Sequence, residues 1–177
     1  MKTLLLASLL VVFLAPVAQA QRPPRFGVEG GVFFPSSART KRVFGSTFSS
    51  FGPGFGDVRV PKRKLYSDLD LLRQRDDGNR AFVVFAGGKL LFPLGKAPGA
   101  GTRFGFAPYG GFGLNLTYAN IDAPAANVDD GGFGVGASAI LGASLGRTFF
   151  GEARYRATSS TAGFNFSGAQ VVLGVRF

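Results

Sequence analysis

At 177 residues and a formal charge of +10, the chain is sized for one domain, and it carries no cysteine, histidine or tryptophan. The missing cysteine excludes disulfides and a cysteine-linked lipid anchor, and the missing histidine removes the usual proton acceptor and the commonest metal ligand. With 27 glycines and 20 phenylalanines, the composition disfavours long helices.

The first segment is expected to lie outside the folded domain. Lys2 gives a positive start, Leu4 to Leu14 is almost wholly apolar, and Ala18-Gln19-Ala20 has the small-x-small form of a cleavage site. Residues 1–20 are therefore expected to be a secretory signal peptide, cleaved after Ala20, leaving residues 21–177 as the domain. No later stretch has the roughly twenty continuous apolar residues of a spanning helix.

From there the pattern has a period of two, the signature of strands. Arg25 to Phe34 sets Phe26, Val28, Val32 and Phe34 against Gly27, Glu29, Gly31 and Phe33. The segment Pro35–Thr47 follows as a long loop bearing Arg39, Lys41 and Arg42. A strand is expected between Phe48 and Val60, but its parity breaks: Phe51 and Phe55 share one face, Val58 and Val60 the other. A bulge near Gly56 would reconcile them. Leu65 to Leu71 alternates Leu65, Ser67, Leu69 and Leu71 with Tyr66, Asp68 and Asp70.

The second half repeats the design. Arg80 to Leu94 places Phe82, Val84, Ala86, Leu90, Phe92 and Leu94 opposite Val83, Phe85, Gly87 and Lys89. Arg103 to Asn120 has one face of Phe104, Phe106, Phe112, Leu114, Leu116 and Tyr118, and another of small or polar residues. Gly131 to Leu145 opposes Phe133, Val135, Leu141 and Leu145 to a row of glycines and serines broken by Ile140. Arg147 to Thr158 carries Phe149, Ala153 and Tyr155 on one side and Phe150, Glu152, Arg154 and Arg156 on the other. The chain ends on Ala169, Val171, Leu173, Val175 and Phe177, alternating with Gln170, Val172, Gly174 and Arg176.

These eight strands predict an all-β, antiparallel barrel. The direction of its faces follows from three features. The signal segment sends the chain out of the cytoplasm. The alternating stretches run about ten residues, the length of a tilted membrane-crossing strand, where soluble strands are nearer five or six. The second face is mostly Gly, Ala and Ser with a few charges, which suits a crowded interior. Glu29, Asp68, Asp70 and Glu152 then point inward with Lys89, Arg154, Arg156 and Arg176, four acids to four bases, as an interior charge network. Links near Gly95–Gly101 and Gly146–Arg147 are expected as tight turns at one end. Longer links at Arg73–Gly78, Asn120–Asp130 and Ser159–Gly163 are expected at the other, external end.

On this pattern, and on Phe177 with Val175, Leu173, Val171 and Ala169, the sequence resembles the small eight-stranded outer-membrane barrels of Gram-negative bacteria. The resemblance implies residence in the outer membrane, contact with its lipid and lipopolysaccharide, and reading of the terminal alternation by the barrel-assembly machinery. It implies a structural or surface-interaction role through external loops, without a cofactor.

Candidate sites are few. Asp68 and Asp70 are spaced as paired carboxylates, and Asp76-Asp77 and Asp129-Asp130 as weak calcium ligands, but interior ion pairs and solvated turns account for them better. Gly132-Phe-Gly-Val-Gly136 lacks the following helix of a nucleotide loop. The scattered bases do not form a nucleic-acid footprint. Arg39, Lys41, Arg42, Arg73, Arg75 and Arg80 are expected near the outer rim, at the level of lipopolysaccharide phosphates. The inward residues Phe33, Phe85, Ile140 and Phe150 keep a second reading open: a binder of small apolar ligands, either a laterally open membrane barrel or a soluble lipocalin-like one.

Overall fold

The computed structural model describes residues 26–53, 64–76, 78–95, 105–146 and 148–177. The signal segment, the bulge expected near Gly56 and most of the Gly95–Gly101 link lie outside the described residues. The elements run β1 (Gly27–Pro35), α1 (Ala38–Phe44), β2 (Phe48–Pro53), β3 (Lys64–Asp76), β4 (Asn79–Pro93) and β5 (Phe106–Ala123). There follow β6 (Val128–Leu145), β7 (Phe149–Thr158), the two-residue strands β8 (Ser160–Thr161) and β9 (Phe164–Asn165), and β10 (Gly168–Arg176).

Eight strands close into a barrel in the order β1-β10-β7-β6-β5-β4-β3-β2, while β8 and β9 form a separate hairpin. Every pairing is antiparallel, and closure runs from Gly27 opposite Arg176 to Pro35 opposite Gly168. The edge that the last strand would expose is thus paired with the first. Closure continues one residue further, where the Phe177 amide donates to the Phe26 carbonyl at 2.8 Å. Among the described residues no helix is long and apolar enough to cross a membrane.

The alternation has one sense throughout the barrel. Leu65, Leu114, Leu141, Leu173 and Phe177 are exposed, whereas Glu29, Asp70, Lys89, Arg154 and Arg156 are buried. The barrel is apolar outside and charged inside. Phe26, Phe106, Phe149 and Phe177 ring the end that holds both termini, and Phe34, Phe82, Tyr118 and Phe133 face outward towards the opposite, loop end. Two aromatic girdles around an apolar band are what a bilayer's interfaces select.

Register fixes how this band ends. One outward row is Leu71, Val84, Tyr118 and Phe133, with the last two rings 5.0 Å apart. One step towards the loops, the row is Arg73, Phe82, Asn120 and Gly131. One step further it is Arg75, Arg80, Asp122 and Asp129. The outer wall thus passes from apolar to fully charged within two rows.

Three links differ from expectation. The Asn120–Asp130 link is mostly strand: β5 and β6 pair as far as Ala123 opposite Val128, and a 3-10 turn at Pro124–Ala126 joins them. Asn127 takes the left-handed conformation there, which asparagine tolerates. The Arg73–Gly78 link is also strand up to Asp76. The Pro35–Thr47 loop contains helix α1. Ser37 caps it by accepting from the Thr40 amide at 3.3 Å, and Gly45, at φ 82°, ends it by donating to the Lys41 carbonyl. Cap chemistry and the Thr40/Phe44 spacing on one face signal this helix; seven residues are too few to show a longer repeat.

Candidate functional site

Period two places Glu152, Arg154 and Arg156 in one inward column on β7. The same rule places Asp68 and Asp70 on β3, Lys89 on β4 and Glu29 on β1. The barrel is narrow enough for these columns to meet. Arg154 contacts Glu29 at 2.6 Å, Asp70 at 3.4 Å and Asp68 at 3.9 Å, and also pairs with Glu152 on its own strand. Arg156 reaches Asp70 at 2.9 Å and Asp68 at 3.3 Å. Lys89 lies 3.6 Å from both Asp68 and Glu152. All seven are nearly closed off from solvent.

The eighth expected member, Arg176, does not join them. It sits nearer the terminal end, where it donates to the Ser144 hydroxyl at 2.8 Å and lies over the Phe150 ring at 4.2 Å. Four acids therefore meet three bases, and neutral donors supply the remainder. Tyr109 donates to Glu152 at 2.7 Å, and the Gln170 amide donates to Asp70. Both were legible as inward by parity. Neither carries a charge, so their membership depended on which groups the closed barrel brings opposite.

Buried ions lose several kcal/mol of hydration each, so the network persists because every one of its ions faces at least one of opposite sign. Pairing and burial also limit its chemistry. Asp68 and Asp70 are the nearest thing to a carboxylate dyad, yet both are held by arginines inside the wall. Among the described residues no group of three or more acids is arranged to hold a metal ion.

Above this layer the interior changes character, and the inward exceptions Phe33 and Phe85 become part of a larger apolar filling. Phe33, Phe44, Phe48, Phe85, Phe164 and Phe166 form one buried apolar cluster with Leu72, Val83 and Ile121. Phe44 comes from α1, and its ring packs 5.0 Å from Phe164 beside the β8–β9 hairpin. Thr40 donates to the Asn165 carbonyl at 2.8 Å, and Asn79 donates to the Val43 carbonyl at 3.0 Å. Helix α1 is thus fastened to both sides of the mouth, with its aromatic face down. The rings pack edge to face on one another rather than around a space, which weighs against a ligand chamber. Sequence parity gave the inward position of Phe33 and Phe85, but not the filling of the mouth by a helix.

The rim bases separate into two groups. Arg39, Lys41 and Arg42 are exposed on α1, with Arg39 lying 4.9 Å over the Phe164 ring. Arg73, Arg75 and Arg80 are exposed on the outer wall, where they border a cleft of 320 Å³ together with Phe82, Asn120 and Asp122.

A closed eight-stranded antiparallel barrel, apolar outside and charged within, has the fold of the small outer-membrane barrels. Among solved structures, the chain is similar to the crystal structure of Neisserial surface protein A, with a TM-score of 0.50 and 15% identity, over 86% of this chain and 94% of that one. At that identity the likeness is one of fold. No protein-family model and no curated protein matches the chain.

Proposed function

We propose that the protein is a non-enzymatic, integral outer-membrane barrel with a side-chain-filled interior. Its role is structural or surface-directed, exerted through the loop end. The observation that carries this reading is the inversion of faces: large apolar side chains between two aromatic girdles outside, and paired charges within. A soluble barrel of the same strands would turn its Leu and Phe columns inward. The enclosed carboxylates of the charge network support a structural use. The signal segment and the fold support export to the outer membrane. The terminal alternation Ala169, Val171, Leu173, Val175 and Phe177 would be the part read by the assembly machinery.

The test is direct. The full-length chain is expressed in a Gram-negative host, outer membranes are isolated, and the fraction is run on a gel with and without boiling. A membrane-bound band that shifts on heating is expected. A soluble periplasmic band with no shift would overturn the reading.

A further inference from the structure

The charge on the outer wall has no use in the barrel's own packing. Arg75 and Arg80 are direct cross-strand partners, and Arg73 is the diagonal neighbour of Arg80 on the same face. Side chains so placed lie about 5 Å and about 7–8 Å apart at their bases, and like charges directly opposed are unfavourable. Among the described residues none of the three forms an ion pair; the bases that do are Lys89, Arg154 and Arg156. Asp122 is the register partner of Arg80, but its own next partner is Asp129, so the positive charge stays concentrated on β3 and β4. Three guanidiniums around one cleft, with a single carboxylate at its border, make a site that an anion would stabilise.

The level of the cleft selects the anion. Phe82 is part of its lining, and the row immediately below is Leu71, Val84, Tyr118 and Phe133. Below that the wall is Leu69, Ala86, Leu116 and Val135. A ligand in the cleft thus has guanidiniums at its head and an outward apolar wall directly beneath. We infer that Arg73, Arg75 and Arg80 form a docking site for the phosphate of an outer-leaflet lipid headgroup, whose acyl chains lie along the β3–β4–β5 wall. The inference rests on the membrane-barrel reading above. The bases of α1 lie over the barrel mouth, away from such a wall, and are not part of the site.

The experiment uses the full-length protein, purified from outer membranes in mild detergent and placed in phosphatidylcholine nanodiscs doped with bisphosphorylated lipid A. Native mass spectrometry reads the lipid A retained. The wild type and an R39Q/K41Q/R42Q variant are expected to retain it equally, and an R73Q/R75Q/R80Q variant roughly tenfold less, with retention falling as salt rises. Dephosphorylated lipid A should be held weakly by all three. An R73K/R75K/R80K variant should recover part of the retention, because charge survives while the bidentate fork is lost. Equal retention by the arginine-to-glutamine wall variant, or loss in the α1 variant, would overturn the site. Displacement of lipid A by excess inorganic phosphate would overturn the choice of a lipid over a free anion. A heat-shifted wild type with unchanged variant retention sinks the site alone, whereas a wild type that is neither membrane-bound nor heat-shifted sinks the membrane reading as well.

Discussion

Arg156 on β7 and Asp70 on β3 lie 2.9 Å apart, although their strands stand four places from each other in either direction around an eight-stranded ring. The ion pair therefore spans the barrel diameter. It ties opposite walls together, and no hydrogen bond of the sheet could do so. Arg156 also rests 4.6 Å above the Phe85 ring, at the boundary between the charged layer and the aromatic layer.

Replacing Arg156 with methionine should therefore cost about 3–5 kcal/mol, because Asp70 and Asp68 lose a buried partner. Combining it with Asp70→Asn should recover part of that loss, since the double variant removes a charge from each side. Urea titration of the lipid-reconstituted barrel, followed by the heat-shifted band, measures both. Purely additive losses would mean that the pair is not coupled.

The outward face gives a second test with opposite expectations for two environments. Leu114 is 73% exposed in the apolar band. Leu114→Arg should destabilise the bilayer-embedded barrel by about 2–4 kcal/mol if the position is near the midplane. The same change on a water-facing surface would stay within about 0.5 kcal/mol.

Glycines of the two faces should differ just as sharply. A Cβ on inward Gly174 would lie 2.2 Å from the Phe150 ring and 2.9 Å from the Val28 carbonyl oxygen. Gly174→Val is expected to abolish the folded, unheated band, because Phe150 is wedged beneath Arg176 and backbone closes the other side. On outward Gly151 a Cβ would meet only the tip of Leu173 at 3.2 Å, among close contacts, so Gly151→Ala should fold normally.

Helix α1 should be separable from the barrel. Phe44→Ala removes the ring that seats it against Phe48 and Phe164. Limited trypsin digestion is expected to cut the variant at Arg39, Lys41 and Arg42 well before the wild type, while the remaining barrel still shifts on heating. Cleavage at the same rate in both would show that Phe44 does not anchor the helix.

Deletion of Phe177 is expected to lower the amount of barrel in the outer membrane while leaving refolding of the purified chain in detergent unchanged. That split would assign the residue to assembly rather than to stability. Loss of refolding as well would assign it to closure, where its amide already bonds Phe26.

The eight barrel strands and the face of nearly every side chain in them were legible in the sequence, because alternation is a local property repeated over about ten residues at a time; helix α1 and the β8–β9 hairpin, too short to repeat, were not. Glu29, Asp68, Lys89 and Arg154 were legible as inward for that reason alone. Which of them meet depends on the closed barrel. Closing eight tilted strands brings β7 opposite β3, so Arg154 and Arg156 find acids, while Arg176, equally inward by parity, lands a layer lower beside Ser144 and Phe150. The register likewise brought Arg73, Arg75 and Arg80 together on the wall and left Arg39, Lys41 and Arg42 on the lid. Parity fixes a direction but not a height or a neighbour; both depend on the stagger of strands that are distant in the chain, and no local pattern encodes that stagger.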